Sequence, residues 1–195
     1  MIKSKQVCLL LALVFSIGLN AQNIVNFSLS SDGTFSTEDK KTYSVVEYKG
    51  KTAQELYNMI KANVLTLYNT PKNVLNEIEP TNITIRAVSN VLHSTFGFGS
   101  GFTEYAAKYT LVFQFKDGKK RVNAPEIDSD LIVNASGIPC PKTFISLIDD
   151  WFDKNGCVKK RKQENVLKIE VQFNYLINYL LGNFEKKEQP EEENW

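Results

Sequence analysis

Apolar and polar residues alternate along part of this chain in the way that a strand of an antiparallel sheet requires. In residues 105–115 every second residue is apolar, and most of the residues between are polar. This alternation predicts a strand with its apolar face in the core and its other face in water. Residues 116–119 read Lys-Asp-Gly-Lys and predict a hairpin turn, because Asp-Gly tolerates the positive φ angles of a type I′ turn. Residues 121–124 are the predicted returning strand.

Further strands are predicted on both sides of one helix. The helix begins at a capping box, in which Thr52 and Glu55 satisfy each other's backbone amides. Its apolar stripe has helical spacing and consists of Leu56, Ile60, Val64 and Leu67. The other predicted strands are residues 23–30, 41–48, 74–79 and 82–88.

The C-terminal third is predicted to be helical. Residues 126–141 are bounded by Pro125 on one side and by Pro139 and Pro141 on the other. They are expected to form an irregular connection. Helices are predicted over residues 142–153 and 164–181, the second with a broad apolar stripe. The charged tail, residues 185–195, is predicted to be disordered.

The chain begins with the layout of a secretory signal peptide. Lys3 and Lys5 precede an apolar run over residues 7–17, and Ala21 is a small residue at the expected cleavage point before Gln22. The run is too short to span a bilayer. We therefore predict export of the protein to the periplasm or the medium, with no transmembrane helix in the mature chain. The alternative is a leader that stays attached as a membrane anchor.

Charge and cysteine content restrict the partners. The full chain has 23 basic and 22 acidic residues, and removing the leader changes its net charge from +1 to −1. A nearly neutral protein has no general attraction for a polyanion, which argues against nucleic acid as a partner.

Cys140 and Cys157 flank the predicted helix 142–153, whose span of about 18 Å exceeds the separation of about 7 Å that a disulfide allows. Two unpaired or intermolecular thiols are favoured, and an intramolecular bridge requires a shorter helix.

Two segments carry a resemblance to a known family. Residues 48–57 read YKGKTAQELY, and residues 109–119 read YTLVFQFKDGK. Together with the order of elements over residues 35–122, they resemble exported proteins of Bacteroidetes-type bacteria with a domain of unknown function of TBP-like fold. The resemblance implies an α+β fold, a single curved antiparallel sheet packed against helices. It brings neither an activity nor DNA binding with it. We expect this domain over residues 22–125 and a helical extension over residues 126–184.

The sequence contains no recognisable catalytic or metal site. His93 is the only histidine, and neither Ser94 nor Ser100 lies in the Gly-x-Ser-x-Gly turn of a hydrolase nucleophile. We therefore interpret His93 as a turn residue. One histidine and two cysteines do not have the usual composition of a zinc site, and no other metal or cofactor is predicted.

The Gly-rich segment, residues 96–102, is the predicted ligand-binding region. Its alternating aromatic residues can contact an apolar ligand, or they can pack on the rim of the sheet. The candidate ligand-binding residues are Phe96, Phe98, Phe102, His93 and Tyr105. Any pocket is expected between the sheet and the helices, near residues 96–102.

Two charged motifs have simpler explanations. Asp149 and Asp150 beside Trp151 suggest a glycoside hydrolase, but adjacent helical residues point about 100° apart and do not face one another across a substrate. The basic run 159–162 is interpreted as a solvated linker, with anionic lipid headgroups as the alternative contact.

These observations favour a non-catalytic protein of the cell envelope. Its expected partner is an unknown small apolar ligand or another envelope protein. The alternative is an envelope hydrolase of unfamiliar type.

Overall fold

The computed structural model describes residues 24–97, 101–135 and 143–183. The leader, the Ala21–Gln22 junction and the tail 185–195 lie outside the described residues. The strands are β1 (Ser28–Leu29), β2 (Phe35–Ser36), β3 (Tyr43–Glu47), β4 (Leu75–Ile78), β5 (Asn82–Val88), β6 (His93–Gly97), β7 (Gly101–Lys116), β8 (Lys119–Asn123) and β9 (Glu126–Ala135). The helices are α1 (Ala53–Leu67), α2 (Pro71–Val74), α3 (Phe144–Ile148) and α4 (Gln163–Leu181), with 3-10 turns at Asp149–Trp151 and Lys160–Lys162.

Seven strands form one sheet around the long central strand β7. The order is β3-β8-β7-β5-β4, and β6 and β9 pair with the N-terminal half of β7. Every pair is antiparallel. Strands β1 and β2 form a separate two-stranded ribbon. The predicted α+β class, an antiparallel sheet packed against helices, is confirmed.

The alternation along β7 places its apolar face in the core, as predicted. All the residues of that face are buried: Tyr105, Ala107, Tyr109, Leu111, Phe113 and Phe115. The pairing with β9 shifts register between Ala107 and Tyr109, where one residue of β7 lies opposite residues 128–130 of β9, so the extra residues belong to β9. Gly118 has a φ of +76° in the two-residue turn to β8, so the predicted hairpin is confirmed. Asp117 does not have a positive φ, so the predicted type I′ turn is wrong.

Helix α1 begins at the predicted capping box. The Thr52 backbone N–H donates to Glu55 Oε2 at 2.8 Å, and the Glu55 N–H donates to Thr52 Oγ1 at 3.2 Å. The stripe is buried as far as Val64, but Leu67 is 38% exposed. The last turn of α1 therefore extends beyond the core.

Helix α4 holds the N-terminal segment, residues 24–29, through a ladder of polar side chains. Asn178, Asn174 and Glu170 are four residues apart and bond alternate residues of the segment. The bonds are Val25 N–H to Asn178 Oδ1 (2.9 Å), Asn178 Nδ2 to Val25 O (2.7 Å), Phe27 N–H to Asn174 Oδ1 (2.9 Å), Asn174 Nδ2 to Phe27 O (2.9 Å) and Leu29 N–H to Glu170 Oε1 (2.8 Å). Four helical residues rise about 6 Å and two extended residues about 6.6 Å, so the two periods match.

The irregular connection predicted over residues 126–141 is wrong for its first ten residues. Glu126–Ala135 is strand β9, paired with β7. Its alternation is interrupted by Asp128, Ser129 and Asp130, which are the extra residues in that pairing and hide the strand in the sequence. Backbone hydrogen bonds to β7 determine the extended conformation of this segment. The predicted helical extension thus opens with a strand of the sheet.

The helix predicted over residues 142–153 is shorter than expected. Only Phe144–Ile148 is α-helical, followed by the 3-10 turn Asp149–Trp151. Asp153 Oδ1 then accepts from the backbone N–H groups of Asn155 and Cys157, which folds the chain into a tight turn. The geometric argument against a bridge between the two cysteines therefore fails. Cys157 is exposed, and Cys140 lies outside the described residues.

Candidate functional site

A cavity of about 680 Å³ lies between the sheet and two helices. It lies between the C-terminal end of α1, the end of β5 and the middle of α4. The lining residues are Leu67, Tyr68, Asn69, Val88, Ser89, Asn90, Tyr109, Val171, Gln172, Phe173, Tyr175, Leu176 and Tyr179. Its volume is in the range of small-molecule sites.

The wall is apolar and aromatic. The Phe173 ring packs edge-on against the Tyr109 ring, with centroids 5.4 Å apart. It also packs edge-on against the Phe35 ring, with centroids 5.6 Å apart. The described lining residues include no Asp, Glu, His, Cys, Lys or Arg. The polar groups that line it are hydroxyls and amides, so this cavity presents hydrogen-bonding groups without a formal charge.

Two tyrosine hydroxyls form the best-defined polar feature of the wall. Tyr68 Oη and Tyr109 Oη are 2.7 Å apart and share a hydrogen bond. Tyr68 directly follows α1, and Tyr109 projects inward from β7, so the pair joins the helix end to the sheet. Burial raises the pKa of both phenols above the ordinary value. Both side chains therefore stay protonated and neutral at physiological pH.

Exposed apolar side chains continue from the cavity onto α4. Leu167, Val171 and Tyr175 follow one another at four-residue spacing, and each is more than half exposed. Val171 and Tyr175 line the cavity, whereas Leu167 lies one turn outside it. An apolar cavity with an apolar rim is typical of a ligand or partner site.

The predicted ligand-binding residues lie elsewhere on the sheet. His93 is in β6, opposite Tyr105 in β7, so its interpretation as a turn residue is wrong. Phe96 pairs with Phe102 at the same hairpin, and the Phe102 side chain is 44% exposed. Phe98 lies outside the described residues. None of the described members lines the cavity, and their ligand-binding role stays a prediction.

His93 belongs to an aromatic cluster. Its ring stacks with Tyr105 at 6.3 Å and meets Trp151 edge-on at 5.2 Å. Burial lowers the pKa of His93, and the charges of Lys162 and Lys168 lower it further. The imidazole is thus kept neutral and packs as an aromatic ring between the sheet and the 3-10 turn.

The charged motifs have structural roles. Trp151 is buried, and Asp150 pairs with Lys159 at 3.0 Å, Arg161 at 3.0 Å and Lys162 at 3.4 Å. Three members of the basic run are therefore held by one carboxylate. In residues 24–97, 101–135 and 143–183, no three His, Cys, Asp or Glu side chains are grouped to hold a metal ion. No helix in those same residues is both long and apolar enough to cross a membrane.

The sequence analysis named two residues that line this cavity, Tyr109 and Leu67, but did not assign them to a site. The pocket predicted between the sheet and the helices near residues 96–102 stays a prediction, and the cavity described above lies at Tyr109 instead. Tyr109 and Leu67 were both expected in the core. The signal that could have located the cavity is the second apolar row of α4, formed by Leu167, Val171 and Tyr175, which lies off the buried stripe.

Two solved structures are similar to this chain over about three quarters of its length. A TBP-like protein from Parabacteroides distasonis matches with a TM-score of 0.44 and 15% identity, over 73% of this chain and 92% of that chain. A DUF4468 family protein from Bacteroides ovatus matches with a TM-score of 0.42 and 11% identity, over 74% of this chain and 87% of that chain. No family model and no curated protein matches the sequence.

Proposed function

We propose that this protein is an exported cell-envelope protein that binds a small apolar ligand, without catalysis, in the cavity beside α4. The observation that carries this proposal is the cavity itself: about 680 Å³, lined by apolar and aromatic side chains. Burial of apolar ligand surface contributes about 25 cal/mol per Å². A site of this kind has a driving force for binding even though its lining residues carry no charge.

The lining residues favour binding over catalysis. General acid–base chemistry at neutral pH uses a group that changes protonation there, and the phenols of Tyr68 and Tyr109 have raised pKa values. His93, the residue through which a hydrolase mechanism would have run, packs against Trp151 outside the cavity. The export part of the proposal is supported by the leader that ends at Ala21.

The first test is native mass spectrometry of the protein purified from the envelope of its own host. A bound small molecule that is released by organic solvent is the expected result. The variant Val171→Trp places an indole at the lining of the cavity and should abolish retention of that molecule. Leu167→Trp is the matched control, because Leu167 is exposed to nearly the same extent on the same helix but does not line the cavity.

The outcomes separate the possibilities. Retention by Leu167→Trp but not by Val171→Trp supports binding in this cavity. Equal retention by both variants would place the ligand elsewhere, with the hairpin residues Phe96 and Phe102 as the next candidates. Turnover of the molecule by the purified protein would contradict the non-catalytic assignment.

A further inference from the structure

The two hydroxyls in the wall of the cavity restrict the chemistry of its ligand. When Tyr68 and Tyr109 share one hydrogen bond, one phenol donates and the other accepts. The accepting phenol keeps its own proton, and no described residue other than its partner tyrosine bonds either hydroxyl. The pair therefore has one O–H left to donate.

Charge complementarity excludes an anionic group at this position. A carboxylate or phosphate that is buried without a cation loses its hydration and gains too little in return. The described lining residues supply neither Lys nor Arg. The lining equally lacks a carboxylate that would pair with a cationic ligand. The group that matches the remaining O–H is a neutral acceptor.

We infer that the cavity takes a neutral, mainly apolar molecule bearing a carbonyl or hydroxyl oxygen, which accepts a hydrogen bond from the Tyr68–Tyr109 pair. This inference rests on the proposed function and specifies the ligand class of the same site. The apolar body of the molecule packs against Val171, Phe173 and Leu176, and its oxygen atom sets its orientation.

Three naphthalene probes of nearly equal size test the inference. They are 2-acetylnaphthalene, which is a neutral ketone, 2-naphthoate, which is an anion, and 2-ethylnaphthalene, which has no polar atom. Binding to the mature protein is measured by calorimetry or by quenching of protein fluorescence. We expect the ketone to bind about fivefold more tightly than the hydrocarbon, because one neutral hydrogen bond adds about that much affinity. We expect the anion to bind at least about tenfold more weakly than the ketone.

Variants assign the selectivity to the hydroxyl pair. Tyr68→Phe and Tyr109→Phe each keep the ring and remove one hydroxyl, and the double variant removes both. The double variant should bind the ketone and the hydrocarbon equally. Tyr48→Phe is the control, since it removes a hydroxyl that bonds Leu181 O at 3.0 Å outside the cavity. It should keep the fivefold preference for the ketone.

The results distinguish the inference from the proposed function. If all three probes bind with equal affinity, the cavity binds apolar molecules but the assigned ligand class is wrong. Tighter binding of 2-naphthoate would overturn the inference in the same way. If none of the probes binds to the folded wild-type protein, the proposed function itself fails. Should the double variant unfold, the comparison of the three probes on the wild-type protein still decides the inference, because Tyr68→Phe alone leaves one phenol O–H that can donate to the ketone.

Discussion

At the scale of single residues, Lys120 shows how far a fold can change a side chain. It is fully buried in β8, its Nζ donates to Leu181 O at 3.2 Å, and it lies 4.2 Å from the centre of the Tyr48 ring. No described carboxylate forms a salt bridge with it. Burial lowers the pKa of this amine to about 8. The lysine thus caps the C-terminal end of α4 at a cost in desolvation.

This pKa predicts how stability depends on pH. Between pH 8 and the ordinary lysine value, the unfolded chain holds a proton that the folded protein has released, so the free energy of unfolding rises with pH. From pH 7.5 to 9 the expected gain is about 1 kcal/mol, and Lys120→Met should lack it. Urea denaturation of both proteins at the two pH values measures the difference. Parallel pH dependence in the two proteins would show that Lys120 does not titrate in this range.

At the scale of elements, the ladder on α4 joins the N-terminal segment to the C-terminal helix. Asn178 is buried and makes two hydrogen bonds to the backbone of Val25. The side chains of the same segment are in the core, where Phe27 is fully buried. Helix and segment therefore depend on each other, although they lie near opposite ends of the described residues.

Asn178→Ala should destabilise the protein by about 2–4 kcal/mol, because it leaves a buried N–H and a buried carbonyl of Val25 without partners. Urea denaturation gives the free energy of unfolding. Asn178→Asp should not restore stability at neutral pH, because its buried carboxylate would face the carbonyls of Val25 and Asn174, to which the amide donates. Asn76→Ala, on exposed β4, is the control and should change stability by less than about 0.5 kcal/mol. Equal losses at the two asparagines would show that the ladder is not specific.

At the scale of the whole molecule, the prediction concerns export. Protein isolated from the native envelope should have lost its first 21 residues and begin at Gln22, because Ala21 is the small residue that cleavage requires. Intact-mass measurement tests this directly. Ala21→Arg places a large residue at that position and should leave the leader attached. A wild-type mass that includes Met1 would contradict the predicted localisation.

The whole fold also shows which sequence signals are dependable. The alternation of β7, the capping box of α1 and the position of the Asp-Gly turn were predicted correctly, because each depends on residues adjacent in the sequence. Strand β9 was missed, since its polar residues 128–130, which form the irregularity in its pairing with β7, interrupt the alternation. The helix over residues 142–153 was predicted too long, because the local turn at Asp153 follows it and Trp151 is buried against His93 of a distant strand.

The sequence by itself determined the capped helix α1, the turn after β7 and the alternation that puts one face of β7 in the core. It also predicts a leader with a cleavage point after Ala21. Only the tertiary structure decided the cavity, the tyrosine pair and the ladder. Tyr68 and Tyr109 are 41 residues apart, and Val25 and Asn178 are 153 residues apart. Periodicity and capping act over a few residues, whereas these contacts form when the end of α1, β7 and α4 are packed together. A side chain's neighbours across such distances are set by packing and burial, which no local pattern encodes.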